Sequence, residues 1–367
     1  MANISKVSGV AAADIDSVAG VAAANISKVS GVTKAAGAAT ATKWLAGATN
    51  GKVFKSAVAN AGSGWAELVD LGGGNGKSIA IGQDSLGNKR WVLHRSSNTE
   101  EIAYVNDGLE GTAGNWTEVD LSNSHTSADG GPNVAWGNDY WIGAGDDVAV
   151  NPAPSDEDVL FASSDGGDTW PTVEIPGQQT NDAGRTACYK DNTTFFFTVQ
   201  DKIWRATADP TDADNWSEVL DLAGAQDILC MAYNGLDLWV CAGQSGEVHT
   251  SDDDWSSATS RTGGHGGSHI YGVVYCAGTV NKWVTVGASG KIAYSTDGET
   301  WTAVSPDPTS FHLRGVATDD TTIVAVGQSG CVLTSTDAIS WTLITHSPSI
   351  NYQLWSVACD IIGSGMR

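Results

Sequence analysis

A unit of strand, tight turn, strand, polar hairpin and Trp recurs along most of this chain, and that recurrence leaves few folds open. Its clearest copy is Lys282 to Trp301 (KWVTVGASGKIAYSTDGETW). Trp283 to Val286 and Lys291 to Tyr294 read as strands on either side of a Gly-containing turn, Gly287 to Gly290. Val284, Val286, Ile292 and Tyr294 alternate with small or polar residues, the two-residue period of a pleated sheet. A polar hairpin then closes on Trp301, and a third strand leaves at Thr302 to Val304. Equivalent turn ends fall at Trp65, Trp116, Trp170, Trp216, Trp255, Trp301 and Trp341, about 40 to 54 residues apart, the length of a four-stranded propeller blade.

Each unit carries a second landmark. Strands open at Trp44, Trp91, Trp141, Trp239 and Trp283, with Phe195 and Ile323 in the same place in the other two units. Six inner strands precede them: Ser78 to Gln83, Asn133 to Gly137, Thr186 to Tyr189, Ile228 to Tyr233, Ile270 to Cys276 and Gly315 to Thr318. The first unit lacks one, because Thr42 to Leu71 holds only three strands, whereas Leu354 to Asp360 has inner-strand character and no strand after it. The expectation is an all-β, seven-bladed β-propeller of four-stranded blades, with N- and C-terminal strands sharing one blade. Such closure removes the exposed strand edges an open ring would carry.

Residues 1–41 are of another kind and are read as a separate tether and linker, with the propeller over 42–367. Asn3 to Ala13, Asp14 to Ala24 and Asn25 to Ala35 repeat an eleven-residue pattern with Gly9, Gly20 and Gly31 in register. Asn3, Asp14 and Asn25 suit helix caps, so single helical turns or one continuous helix are both open readings, as is an extended leader. Three glycines and many β-branched residues oppose a stable lone helix, and the stripe is too narrow to form a core, so docking on a partner is expected.

Acidic residues outnumber basic ones 42 to 19, a net charge of −23 that argues against nucleic acid and anionic lipid as partners. No segment reaches the length of a membrane span, and the start, MANISKVSG, lacks the apolar stretch of a secretion signal. Cys188, Cys230, Cys241, Cys276, Cys331 and Cys359 each sit singly in apolar runs, as buried thiols from a reducing compartment do.

Ser163 to Trp170 (SSDGGDTW) matches the Asp-box S-x-D-x-G-x-T-W in full; Ser295 to Trp301 and Ser335 to Trp341 are one residue shorter, and Ser251 to Trp255 is clipped further. The turns ending at Trp116 and Trp216 are expanded, with Asn115 and Asn215 before the Trp. Ser and Asp side chains bond nearby backbone N–H groups in such turns, and the Trp folds over the hairpin as a lid. Residues 43–362 therefore resemble the Asp-box (BNR-type) propellers, which include sialidases, sortilin-type receptors and photosystem assembly factors. That resemblance implies that the boxes, with Asp165, Asp297 and Asp337, are structural and lie away from the binding face. The eleven-residue leader is similar to segments in virion and tail proteins of tailed bacteriophages.

Catalytic candidates are sparse. A sialidase needs three convergent arginines; Arg90, Arg95, Arg185, Arg205, Arg261, Arg314 and Arg367 are available, and Arg185 and Arg314 begin inner strands, but the Arg-Ile-Pro opening is replaced by Lys43-Trp44-Leu45. Asp146-Asp147 and Asp319-Asp320 read as turn residues rather than as a glycosidase pair. His265 and His269, in a loop of four glycines, read as solvated, and Asp252-Asp253-Asp254 as a turn rather than a calcium site. No catalytic, cofactor-binding or metal-ligating residue and no cofactor is assigned, and the chain is read as a non-enzyme.

The function expected from both resemblances is that of a phage virion structural protein, tail-fibre or baseplate-associated. Residues 1–41 would dock on other virion proteins, and an oligomeric propeller would adhere to a host-surface glycan or protein or make assembly contacts. The alternatives are a virion-associated glycan-cleaving enzyme and an intracellular scaffold like the photosystem assembly factors.

Overall fold

The computed structural model describes residues 17–18, 21–22, 43–57, 64–96, 100–121, 134–145, 160–175, 184–191, 194–346 and 349–361. Two compact units divide the chain, 1–39 and 40–367. In the first, Ser17–Val18 pairs antiparallel with Val21–Ala22, so those four residues are extended rather than helical. The rest of the eleven-residue repeat lies outside the described residues, as do Asp146-Asp147 and Arg367.

The second unit is a seven-bladed propeller. Blade 1 runs outward from Leu354–Cys359 through Trp44–Ala48 and Lys52–Ser56 to Ala66–Asp70. Its inner strand therefore comes from the C-terminal end of the chain and its three outer strands from the N-terminal side. The other inner strands are Asn75–Gln83, Val134–Gly137, Gly184–Asp191, Ile228–Tyr233, Ile270–Cys276 and Leu313–Thr318, in blades 2 to 7. Leu354 pairs with Ala48 and Cys359 with Trp44, and the clasp continues past the strands. Asp360 N donates to Lys43 O at 3.0 Å, Lys43 N donates to Asp360 Oδ1 at 3.2 Å, and Lys89 Nζ in blade 2 reaches Asp360 O at 2.8 Å.

Blade 3 departs from four strands. Val134–Gly137, Tyr140–Ala144 and Leu160–Ser163 pair normally, but the outermost strand shrinks to a bridge between Phe161 and Thr172. Pro171 follows the hairpin Trp directly and has no N–H to extend the ladder. Its carbonyl still accepts from Ala162 N, and Val173 N donates to Leu160 O, so the edge of Leu160–Ser163 is covered.

Packing explains one misleading sequence signal. Strict alternation is expected where one sheet face meets water, yet Trp44–Ala48, Trp239–Gly243 and Ile323–Gly327 are buried at every position. Each blade is packed on both faces by its neighbours, so its second strand reads as a continuous apolar run. Even Thr285, between Val284 and Val286, is fully buried. Cores form between blades: Trp44, Phe54 and Leu354 of blade 1 pack with Val324 and Val326 of blade 7, and Ala135 and Ile142 of blade 3 with Phe195 and Phe197 of blade 4.

Candidate binding site at the channel mouth

The seven inner strands surround a channel with a cavity of about 150 Å³. Successive strands of a blade are antiparallel, so inner strands begin on the rim opposite the hairpins that join third and fourth strands. The hairpin motif and the channel mouth are thus on opposite rims.

At the mouth, the inner strands share a local irregularity. Their pairing with the second strand slips by one residue at Lys77, Arg185, Leu229, Tyr271, Arg314 and Trp355. A β-bulge re-aims the extra residue, and all six of these side chains line the channel. The residue after each is small: Ser78, Thr186, Cys230, Gly272, Gly315 and Ser356. Crowding near the axis demands it, since a Cβ on Gly315 would sit 2.9 Å from Ser356 Cα in the next blade.

Around the ring the bulged residues of blades 2, 1, 7 and 6 alternate cation, aromatic, cation, aromatic. Lys77 Nζ lies 3.6 Å from the Trp355 ring centroid, and Arg314 Cζ lies 5.2 Å from that ring and 4.1 Å from Tyr271. For Arg314 such contacts hold the guanidinium in place without neutralising it. Arg185 is different, because Asp227 Oδ2 accepts from its Nη2 at 3.2 Å. Among the described residues no carboxylate forms an ion pair with Arg314, and none lines the channel. Among the described residues, Arg185 Nε, Arg314 Nε and Trp355 Nε1 are buried donors without an acceptor.

Two histidines tie this rim together. His269 and His312 precede the inner strands of blades 6 and 7. Their Nδ1 atoms accept from Ser245 N at 3.1 Å and Ser289 N at 2.9 Å, in turns of the preceding blades. Asn75 Oδ1 accepts from Asn50 N at 3.4 Å in the same way between blades 2 and 1. Both rings also contact Tyr271. Burial, and then the charges of Arg314 and His269, hold the His312 pKa below its ordinary value.

The other sequence candidates are placed as follows. Asp165 accepts from the amides of Asp168 and Thr169 and from the hydroxyls of Ser163 and Thr169. Asp297 and Asp337 cap their hairpins similarly through Ser295 and Ser335. Burial alone would raise the Asp165 pKa, but the Thr169 and Ser163 bonds lower it. Trp170, Trp301 and Trp341 close their turns by donating Nε1–H to Gly167 O, Gly298 O and Ala338 O. Asp253 is a turn residue bound by Ser257, but Asp254 is not simply solvated. It pairs with Lys190 at 2.6 Å and accepts from Trp239 Nε1, joining blades 4 and 5. Asp319 caps its turn, and Asp320 Oδ1 accepts from Ala277 N across blades 6 and 7.

The solvated-loop reading of His265 is wrong. The ring is 1% exposed, and burial lowers its pKa to about 4. Thr285 gives its hydroxyl hydrogen to Ala293 O, so His265 Nε2–H donates to Thr285 Oγ1 at 2.9 Å. Among the described residues, no group of three or more His, Cys, Asp or Glu side chains is placed to hold a metal. All six cysteines are buried thiols outside any disulfide, and burial pushes the Cys188 thiol up to about 12. Of the described arginines, only Arg185 and Arg314 reach the channel. Arg90 pairs with Asp168, Arg95 with Glu101 and Glu118, and Arg261 with Glu299. Sequence reasoning missed Lys77, Tyr271 and Trp355. The readable signal was a bulky or charged residue followed by a small one near the head of six of the seven inner strands.

These features define a class: a closed seven-bladed propeller with a cationic and aromatic mouth on the rim away from its Ser-Asp hairpins. No family model and no curated protein matches the chain. Solved structures do. YCF48 bound to D1 peptide aligns at 16% identity over 72% of this chain and 83% of that one, with a TM-score of 0.50. YCF48 from Cyanidioschyzon merolae aligns at 14% over the same shares, also at 0.50. The computationally designed Ika8 protein aligns at 13% over 86% of this chain and 93% of that one, at 0.52. At such identities the likeness speaks for the fold alone.

The virion assignment does not stand. The solved structures reported above include YCF48 and no tail or baseplate protein, and no family model links residues 1–41 to phage segments. The expected virion partners, particle oligomer, host adhesion and virion location fall with it. The physical reason is that the leader resemblance rested on some thirty residues of low complexity, a composition many unrelated chains share. Among the described residues no helix is long and apolar enough to cross a membrane.

Proposed function

We propose that this chain is a non-catalytic scaffold propeller that holds a polypeptide segment of a partner at the channel mouth, closest to the assembly-factor alternative raised by the sequence. The observation that carries the reading is Arg314, kept between Tyr271 and Trp355 with no carboxylate partner among the described residues. A guanidinium so held keeps its donors available to an incoming acceptor. Support comes also from the YCF48 structure with a bound D1 peptide, a propeller of this architecture that takes a peptide. The Ser-Asp hairpins favour an Asp-box origin for the propeller, with the boxes serving as turns on the opposite rim. Among the described residues the channel lining has no carboxylate to act as acid or base for glycoside cleavage, which favours binding over catalysis.

The test is hydrogen exchange on the full chain with a panel of acidic, neutral and basic peptides, run beside a reducing-end assay on polysaccharides. Peptide-dependent protection at the starts of the inner strands, without reducing ends, is the expected result. Protection confined to the hairpin rim, or release of reducing ends, overturns the proposal.

A further inference from the structure

Beneath its mouth the channel changes character. Two residues beyond the bulged positions stand Ile79, Ala187, Met231, Val273, Val316 and Val357, all apolar and all lining the cavity. Val316 is half-buried and the other five are buried, so little of this ring meets water. Trp136 of blade 3, packed over Gly82 near the far ends of their two strands, lines the cavity from below. Above the ring, the Arg314 guanidinium lies 4.1 Å from the Tyr271 centroid and 5.2 Å from that of Trp355. Trp355 Nε1 is a buried donor with no acceptor among the described residues. The cavity therefore has a donor-rich end and an apolar length.

An amphipathic ligand with one anionic end matches that polarity. We propose that the channel binds a small monocarboxylic acid tail first. Its carboxylate accepts from the Arg314 guanidinium and from the Trp355 indole N–H, and its hydrocarbon lies against Met231, Val273, Val316 and Val357. A guanidinium presents donors in the plane and spacing that a carboxylate accepts. Volume limits the tail: the cavity is about 150 Å³, and an apolar cavity of that size holds benzene, so roughly six carbons fit. Charge limits it too. A second carboxylate at the far end would lose its water against valines, and an ammonium group would meet no carboxylate among the described lining residues. This site lies beneath the mouth and so goes beyond the peptide-binding reading. A chain ending in an apolar residue presents the same carboxylate and tail, and the experiment separates the two sources.

The test uses the full chain and straight-chain acids from acetate to decanoate. They are titrated against the indole N–H resonance of Trp355, assigned by its loss in Trp355→Phe. Each buried methylene is worth about fourfold in affinity, so binding should tighten at that step from acetate and level off beyond roughly six carbons. Hexanamide and adipate should bind at least about tenfold more weakly than hexanoate. Arg314→Gln, checked for folding by near-UV circular dichroism, should weaken hexanoate by a similar factor and leave hexanamide unchanged. Val316→Phe should move the plateau to shorter acids. N-acetyl-Ala-Ala-Leu is set beside 4-methylpentanoate: tighter binding of the peptide assigns the carboxylate to a chain end, and tighter binding of the free acid assigns it to a small metabolite. Equal affinity for hexanoate and hexanamide overturns the proposal. So does affinity independent of tail length; if Arg314→Gln still abolishes that binding, the mouth reading stands. If no acid moves the Trp355 resonance while peptides still protect the inner strands, the channel proposal alone falls.

Discussion

His265 shows how a residue that reads as a loop ligand becomes a structural group. Glycines on both sides let the chain turn sharply, with Gly264 and Gly266 at φ of +73° and +60°, and the ring goes inward rather than out. Its Nε2–H is spent on Thr285, and protonating Nδ1 would place a charge where no acceptor waits. The folded pKa, about 4, is below the ordinary value of 6.5, so the neutral ring stabilises the fold. That contribution is complete above pH 6.5 and is lost as pH falls through the window down to 4, amounting to about 3 kcal/mol. His265→Gln keeps a donor for Thr285 but does not titrate. Denaturant unfolding at pH 7 and pH 4 should therefore show wild type losing about 3 kcal/mol more than the variant. Equal losses would mean that His265 charges without penalty. The mouth residues teach the complementary lesson about legibility. Arg185 and Arg314 were visible as strand-opening arginines, but Tyr271 and Trp355 looked like ordinary core aromatics, because a bulge has no composition of its own. Only the small residue after each one recorded the crowding that the bulge creates.

At the scale of strands and hairpins, blade 1 was the most legible element, because its shortage of one strand and the surplus strand at the other end are both plain in the sequence. The fully buried second strands were legible as apolar runs, while Pro171, which trims blade 3, marked a departure that the repeat itself hides. The inner strands of blades 2, 4 and 7 begin two or three residues before their expected starts, at Asn75, Gly184 and Leu313, because the bulged residue interrupts the period while the strand continues past it. Leu354–Cys359 is held by the ladder to Trp44–Ala48, by the Asp360 clasp, and by packing of Leu354 and Val357 in the core shared with blade 7. Removing residues 350–367 would uncover the edge of Trp44–Ala48 and open that core. Losing two large buried aliphatic side chains alone costs several kcal/mol, about 2–5 for each truncated to Ala. Differential scanning calorimetry of the truncated chain should show a melting temperature more than about 10 °C lower, or no cooperative transition. A synthetic peptide of residues 350–367 added in trans should recover part of the loss. An unchanged melting temperature would show that this strand does not close the ring.

Across the whole molecule, the mouth is a positive exception on a chain of net charge −23. The two fields act at different ranges. An acidic peptide at a distance meets the summed repulsion of the surface, whereas one already seated meets Arg314 at contact, beside the Tyr271 and Trp355 rings. Salt screens the first more than the second, because the Debye length shrinks from roughly 30 Å at 0.01 M to about 8 Å at 0.15 M while contact pairs are only a few ångströms across. Association should therefore accelerate as salt rises over that range, the reverse of ordinary steering between opposite charges, while dissociation also quickens as the seated pairs weaken. Stopped-flow fluorescence of an acidic peptide from the panel can separate the two rates. A rising on-rate with a rising off-rate is expected, with a few-fold change in each. An on-rate that falls steadily with salt would mean that the positive field of the mouth reaches out beyond the acidic surface. In that case the closed ring does more than position contacts: it focuses the potential of its axis into the solvent.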